Sequence, residues 1–190
     1  EEVVLCLQGI ICNQSLPPVT KQTRIENRQR RYIRQTVELT LLGSPYFSDT
    51  LHKIHDINEQ FSRNLPPNAM ETWNSQQFEG HPSLIASNRY FTNRHDQSHH
   101  PHVPLGANVD PDGVLQQAMG DEFVHLHEKQ VEYFEAVKIG GVINKHKKIN
   151  PIKFRIGDIV EAQISLVTYH QLRGNKYKLI VVLRAITLLD

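Results

Sequence analysis

The chain has 190 residues, 39% of them apolar and 22% charged, with a formal net charge of +1. That balance suits one domain with an ordinary core and surface, or one domain carrying a large insertion. It gives no bulk attraction to nucleic acid or to an anionic membrane, so any basic site has to be local.

No stretch approaches the run of about 18 apolar residues that a membrane-spanning helix requires, and no secretory leader opens the chain. Both ends fall in segments with the pattern of structure, which implies flanking sequence that has been removed. Cys6 and Cys12 lie six residues apart in one apolar segment. On an extended strand they share a face some 20 Å apart, at about 3.3 Å per residue, and cannot pair. With no CxxC spacing for zinc, both are expected to be reduced core thiols of an intracellular protein, nuclear or cytoplasmic. The glycosylation sequon Asn13-Gln14-Ser15 is short enough to arise by chance.

In chain order, the apolar run VVLCLQGIIC of residues 3–12 ends near the turn-like LPP of residues 16–18. After a basic stretch comes YIRQTVELTLLG, residues 32–43. Ile33, Val37, Leu39 and Leu41 alternate there with Arg34, Glu38 and Thr40, the two-residue period of a half-buried strand. Gly43-Ser44-Pro45 breaks the strand. Ser48 is placed to cap a helix, with Asp49 in its first turn. Leu51, Ile54, Ile57 and Phe61 follow at helical spacing, so residues 48–61 are predicted to form an amphipathic helix docked on the sheet.

Residues 62–108 change character, with five prolines and many Asn, Gln and Ser. They are expected to form a long polar, loop-like insertion, partly ordered by Trp73, Phe78, Tyr90 and Phe91. In VDPDGVLQQAMG, Asp110 can cap and Pro111 fits a first helical position, with Gly120 closing a short helix; a type I turn over Asp110–Gly113 is the alternative. EFVHLHE and QVEYFEAV read as two short strands, joined through Gly140-Gly141 and a Lys-rich connection to INPIKF. Gly157-Asp158 then opens a long hairpin. Its first arm, FRIGDIVEAQISLV, buries one face; its second, KYKLIVVLRAITLL, is apolar on both and should be central. The predicted fold is mostly β, a closed or nearly closed barrel or a sandwich, with one amphipathic helix. Asp158 belongs to the turn. Arg184, set among aliphatics, needs an acid, and Glu161 or Asp158 is the predicted partner.

The run NVDPDGVLQQAMGDEFVHLHEKQVEYFEAV, then INPIKFRIGDIVEAQISLV and NKYKLIVVLRAITLLD, resembles a domain of uncharacterised role that recurs in many copies in mushroom-forming basidiomycete genomes. The resemblance covers residues 108–190, with YIRQTVELTLLG a fainter match upstream. Its most specific parts are GDIVEAQ and KYKLIVVLRAITLLD; it departs at HLHEKQ, where the family has a more acidic, Asn-containing turn. The repeated genomic character implies a link to mobile elements. It implies no activity and no catalytic residues.

The strongest polar cluster is KQTRIENRQRRYIRQ, residues 21–35. Lys21, Arg24, Arg28, Arg30, Arg31 and Arg34 stand there against one acid, Glu26, with Tyr32 among them. Arginine suits bidentate phosphate contact and tyrosine can stack on a base. Two expected hairpin connections add Lys145, Lys147 and Lys148, and Arg173, Lys176 and Lys178. If they share a rim with the arm, a near-neutral protein carries a basic edge. The ordinary alternative is that each is a solvated surface run.

His95, Asp96, His99, His100 and His102 supply good ligand types, but no HExxH or other framing motif surrounds them, so no metal site is predicted. His125 and His127 share a strand face with Phe123 and read as satisfied core histidines. No nucleophile elbow, P-loop or dinucleotide fingerprint is present. The expected protein is therefore a nucleic-acid-binding domain without cofactor or membrane contact. The alternative is a protein-interaction or self-assembly module, pairing through Val3–Cys12 as an exposed edge strand.

Overall fold

Alternation along β1 (Leu5–Ser15) turns Leu7, Gly9 and Ile11 inward. At Gly9 a Cβ would lie 3.1 Å from the Leu39 Cβ, so a side chain there would push the neighbouring strand back by a few tenths of an ångström. Cys6 is on the outer phase and exposed, which corrects its reading as a core thiol. A bulge between Ile11 and Asn13 makes Cys12 an extra residue, and its thiol turns under cover to donate to the Glu38 carbonyl at 3.3 Å. The structure is a computed structural model and describes residues 2–21, 25–96, 101–139, 142–171 and 174–190. Within those, the side chains of residues 27–28, 138–139 and 142–144 are left aside.

After β2 (Arg34–Thr40), α1 spans Pro45–Ser62, opening one turn earlier than Ser48 predicts. Ser44-Pro45, read as a strand breaker, also starts the helix, because proline fits a position whose amide has no helical partner. α1 buries Phe47, Leu51, Ile54 and Asn58, and the Asn58 amide donates to the Glu71 carbonyl at 3.2 Å.

Residues 62–108 depart most from expectation. They carry β3 (Gln76–Phe78), β4 (His81–Arg89) and β5 (Thr92–Asn93). Glu79 and Gly80, both at positive φ, make a two-residue hairpin turn between β3 and β4. Far from being loop, β4 buries Leu84, Ala86 and Asn88 and lies against β2 along its length, Arg34↔Arg89 to Thr40↔Ser83.

The turn reading of Asp110 holds, and its capping role holds in part: Pro111 lies in the turn and not at the first helical position, because the helix starts only after Gly113. Gly113 donates back to the Asp110 carbonyl at 3.3 Å, and the Asp110 side chain caps α2 (Val114–Met119), accepting from Leu115 and Gln116 at 2.9 and 2.8 Å. Where EFVHLHE predicts a strand, only β6 (Phe123–Val124) is extended. The chain then enters a tight helical turn, His127–Lys129, whose Glu128 carbonyl receives the Asn88 amide at 3.0 Å. β7 (Glu132–Ile139) and β8 (Val142–Lys148) form a hairpin. Lys145, Lys147 and Lys148 thus sit on an edge strand and not in a loop, where lysine discourages pairing with other chains. β9 (Ile159–Gln171) and β10 (Lys176–Leu188) are the long predicted hairpin.

One eight-stranded sheet runs β3-β4-β2-β1-β9-β10-β7-β8, and a parallel pairing of β4 with β10 at Ser87↔Val182 folds it shut. Strands β1, β2, β4, β10 and β9 thereby make a closed five-stranded barrel. Ile11, Val37, Leu84, Val160, Ile164, Leu183 and Ile186 fill it, joined by the buried face of α1. A smaller cluster of Tyr90, Phe91, Leu115 and Phe123 packs under α2. β1 lies inside the sheet, its first half (Leu5–Ile10) paired with β9 and its second half (Ile10–Ser15) with β2, so the expectation that it is an exposed edge strand is corrected. Among the described residues no helix is long and apolar enough to cross a membrane.

Candidate nucleic-acid interface

Where β4 meets β10, the outside of the barrel forms a groove of about 320 Å³ lined by Arg34, Arg89, Lys129, Arg184, Tyr169 and Ile180 among others. Arg34 opens β2 and Arg89 closes β4, and the ladder sets them directly opposite each other. Partial burial, and then the charge of Arg89, hold the Arg34 guanidinium below its ordinary pKa. Just before β2, the half-exposed Tyr32 ring has the Arg31 and Arg89 guanidinium carbons 5.1 and 5.7 Å from its centroid. A second depression of about 260 Å³ shares Arg89 and Lys129 with the groove and adds Arg31, although Asp96 and Glu122 temper its charge.

Arg184 reaches the groove on the outward phase of Ile180 and Val182. The β9–β10 register shifts between Leu183 and Ala185, so Arg184 is the extra residue of a bulge, after which Ile186 turns into the core. Its partner is Glu2, not Glu161 or Asp158. Glu161 lies opposite Thr187 and accepts from the Gln8 amide at 3.0 Å, while Asp158 accepts from the Arg155 amide at 2.8 Å in its own turn. Both are committed elsewhere. The remaining Arg184 donors go to the Glu128 carbonyl at 2.6 Å and the Ser165 hydroxyl at 3.4 Å. Asn88 binds the same Glu128 carbonyl and also the Leu183 carbonyl at 3.2 Å, tying the His127–Lys129 turn to the barrel.

Lys176, Lys178, Ile180, Val182 and Arg184 follow one another on the outer face of β10, with exposed Tyr169 across from Lys178. Eight rises of about 3.3 Å from Lys176 to Arg184 make this stripe roughly 26 Å long.

Of the sequence-predicted residues, Arg34 lines the groove, Arg31 lines the depression beside it, Tyr32 lies against Arg31 and Arg89, and Lys176 and Lys178 extend the groove's face. Lys21 and Arg30 instead face α2, beside Val114 and Gln117. Lys145, Lys147 and Lys148 lie beyond β7, and Lys148 is paired with Glu132 at 2.7 Å. Arg24 and Arg173 lie outside the described residues, as does the Arg28 side chain. His99 and His100 are also outside them. His95 sits in a tight turn and His102 bridges to Leu126, and among the described residues no His, Cys, Asp and Glu gather to hold a metal.

Arg89, Lys129 and Tyr169 escaped the sequence reading. Arg89 was findable: SLIASNR has no glycine or proline and alternates in and out. Its inward phase is Leu, Ala, Asn, which is too small and polar to stand out.

A polar cavity of about 260 Å³ lies behind the groove. The Tyr133 hydroxyl donates to Gln35, whose amide reaches the Lys129 carbonyl at 3.2 Å. The His125 ring sits 2.7 Å from the Tyr90 carbonyl as a satisfied core histidine, whereas His127 is exposed in the His127–Lys129 turn, which corrects its reading as a core residue of the same strand face. Burial pushes the Tyr133 and Tyr90 hydroxyls up and the His125 imidazole down, so these groups are neutral near pH 7.

No family model and no curated protein matches this chain. Among solved structures it aligns with a single-stranded DNA binding protein encoded by bacteriophage T7, at 13% identity and a TM-score of 0.48. That alignment covers 100% of this chain and 87% of the phage protein, a superposition too loose to say what this chain binds.

Proposed function

We propose that this protein binds nucleic acid, DNA or RNA, as a strand laid along the β4–β10 groove. The observation that carries this reading is the placing of Arg34 opposite Arg89 beside the Tyr32 ring. Like charges directly opposite in a ladder are unfavourable, and the pairing makes sense where an anion lies between them. Arg34 and Arg89 at one end, with Lys129 beside them in a pair with Glu128 at 2.9 Å, and Lys178 and Lys176 at the other, supply phosphate contacts along the stripe. Tyr32 and Tyr169 supply faces on which bases can stack. Net charge near zero fits, because the basic groups are concentrated locally.

The barrel supports the same reading without deciding it, since fold alone does not fix function. A five-stranded barrel of this build resembles the OB fold, which binds oligonucleotides on strands 2 and 3 and on the loops between strands 1 and 2 and strands 4 and 5. Here β2, β4, the connection of residues 16–33 and that of residues 172–175 take those places. An intracellular role in a mobile-element setting belongs to the same proposal, on the strength of the fungal resemblance. Titrating labelled single- and double-stranded oligonucleotides at two salt concentrations tests it. Affinity should fall steeply with salt; no binding at low salt would reject the reading.

A further inference from the structure

Arg184 is held as a ready anion receptor. It points out of the barrel wall at the bulge that ends the outward run of Ile180 and Val182, and the Glu128 carbonyl fixes one nitrogen at 2.6 Å. Ser165, itself buried, stands beside it. The anion in place is the Glu2 carboxylate, which accepts from the Arg184 guanidinium. Glu2 comes from the segment leading into β1, whose Val3 and Val4 are exposed, so little apolar burial holds it there. Burial acts to raise its pKa, but the hydrogen bonds from Arg184 and Ser165 and the arginine's charge outweigh that and hold it below the ordinary carboxylate value.

A carboxylate and a phosphodiester oxygen pair ask for the same donors. We propose that Arg184 and Ser165 form a phosphodiester subsite of the groove, which the Glu2 carboxylate occupies until nucleic acid displaces it. This rests on the nucleic-acid reading above and adds a residue and a built-in competitor to it. Arg34, Arg89 and Lys129 line the same groove, so a strand contacting them passes over Arg184. The Glu2 pair is half-exposed on the acid side, and such pairs contribute little, so displacement is feasible at ordinary affinities.

The test is binding of a labelled oligothymidylate of about 16 nucleotides to the full chain by fluorescence anisotropy at low salt. Glu2→Gln should bind about two- to five-fold tighter than the wild type, the range set by a part-exposed ion pair. Glu79→Gln, which removes the same charge in the β3–β4 turn at the other end of β4, should change affinity much less. The gain should vanish when Arg184→Met is added. Equal affinities for Glu2→Gln and Glu79→Gln, with binding still lost on Arg34→Ala, would overturn the subsite and leave the groove standing. Absence of binding by every variant would overturn both.

Discussion

Arg34 and Arg89 face each other across the antiparallel β2–β4 ladder, two guanidiniums at one end of the barrel wall with the Tyr32 ring alongside. Such a pair destabilises the folded protein. Replacing Arg34 with Gln should therefore raise stability by about 0.2–1 kcal/mol, read as a shift in the urea midpoint at constant slope. Affinity for an oligonucleotide should fall by about 1.5–3 kcal/mol, the range for a charge-assisted hydrogen bond. The salt dependence should flatten by about 0.7 in slope for a single strand. A variant both less stable and equally tight would show the pair to be structural.

Stacking is separable from charge. Tyr32→Ala and Tyr169→Ala should each weaken binding by about 1–3 kcal/mol with little change in salt slope, whereas Tyr→Phe at either place should retain most of the affinity. Loss in the Phe variants would point to the hydroxyls.

Asn88 joins the site to the core, since its amide serves the Glu128 and Leu183 carbonyls at once. Asn88→Ala leaves the buried Leu183 carbonyl without this donor and the Glu128 carbonyl with Arg184 alone, and should lower stability by about 1–3 kcal/mol. Hydrogen exchange in the His127–Lys129 turn should speed up with it. Unchanged exchange there would mean the turn is held by other contacts.

His125 sets an acid limit. Burial depresses its pKa below the ordinary 6.5, with a smaller contribution from Lys129, against the raising effect of its hydrogen bond to the Tyr90 carbonyl. Above 6.5 the imidazole is neutral both folded and unfolded, and pH has no effect through it. Below that value the unfolded chain takes up a proton that the folded site resists, so stability falls until the pH drops beneath the folded pKa. His125→Gln should flatten the stability profile in that window. An identical profile would assign the acid sensitivity to other groups.

The two thiols should differ in reach. Cys6 is exposed and should be alkylated in the native protein, though slowly near neutral pH, because burial and the charge of Glu161 raise its pKa. Cys12 is buried and should react only after unfolding. Simultaneous labelling would contradict the β1 bulge geometry.

The elements with strong periodicity were legible. The two-residue alternation of Val37 and Leu39 and the double-sided apolarity of residues 179–186 locate β2 and β10, because burial on a pleated strand leaves a pattern that needs no knowledge of partners. β4 was hidden for the complementary reason. Its inward Asn88 is tolerated only because carbonyls from β10 and the His127–Lys129 turn come to meet it, and those partners lie 95 and 40 residues away in the chain.

By itself, then, the amino-acid order determined a mostly β fold, the long final hairpin, a docked helix and a basic arm, all consequences of local spacing. The tertiary structure decided closure at Ser87↔Val182 and the interior place of β1. It also separated Arg34, which lines the groove, and Arg31, which lines the depression beside it, from Lys145–Lys148, which do neither. The path of the segment before β1 gave Arg184 Glu2 as its partner in place of Glu161 and Asp158. Charge in a sequence says only what could be gathered; ladder register and bulges, set by which strands pair, determine what is.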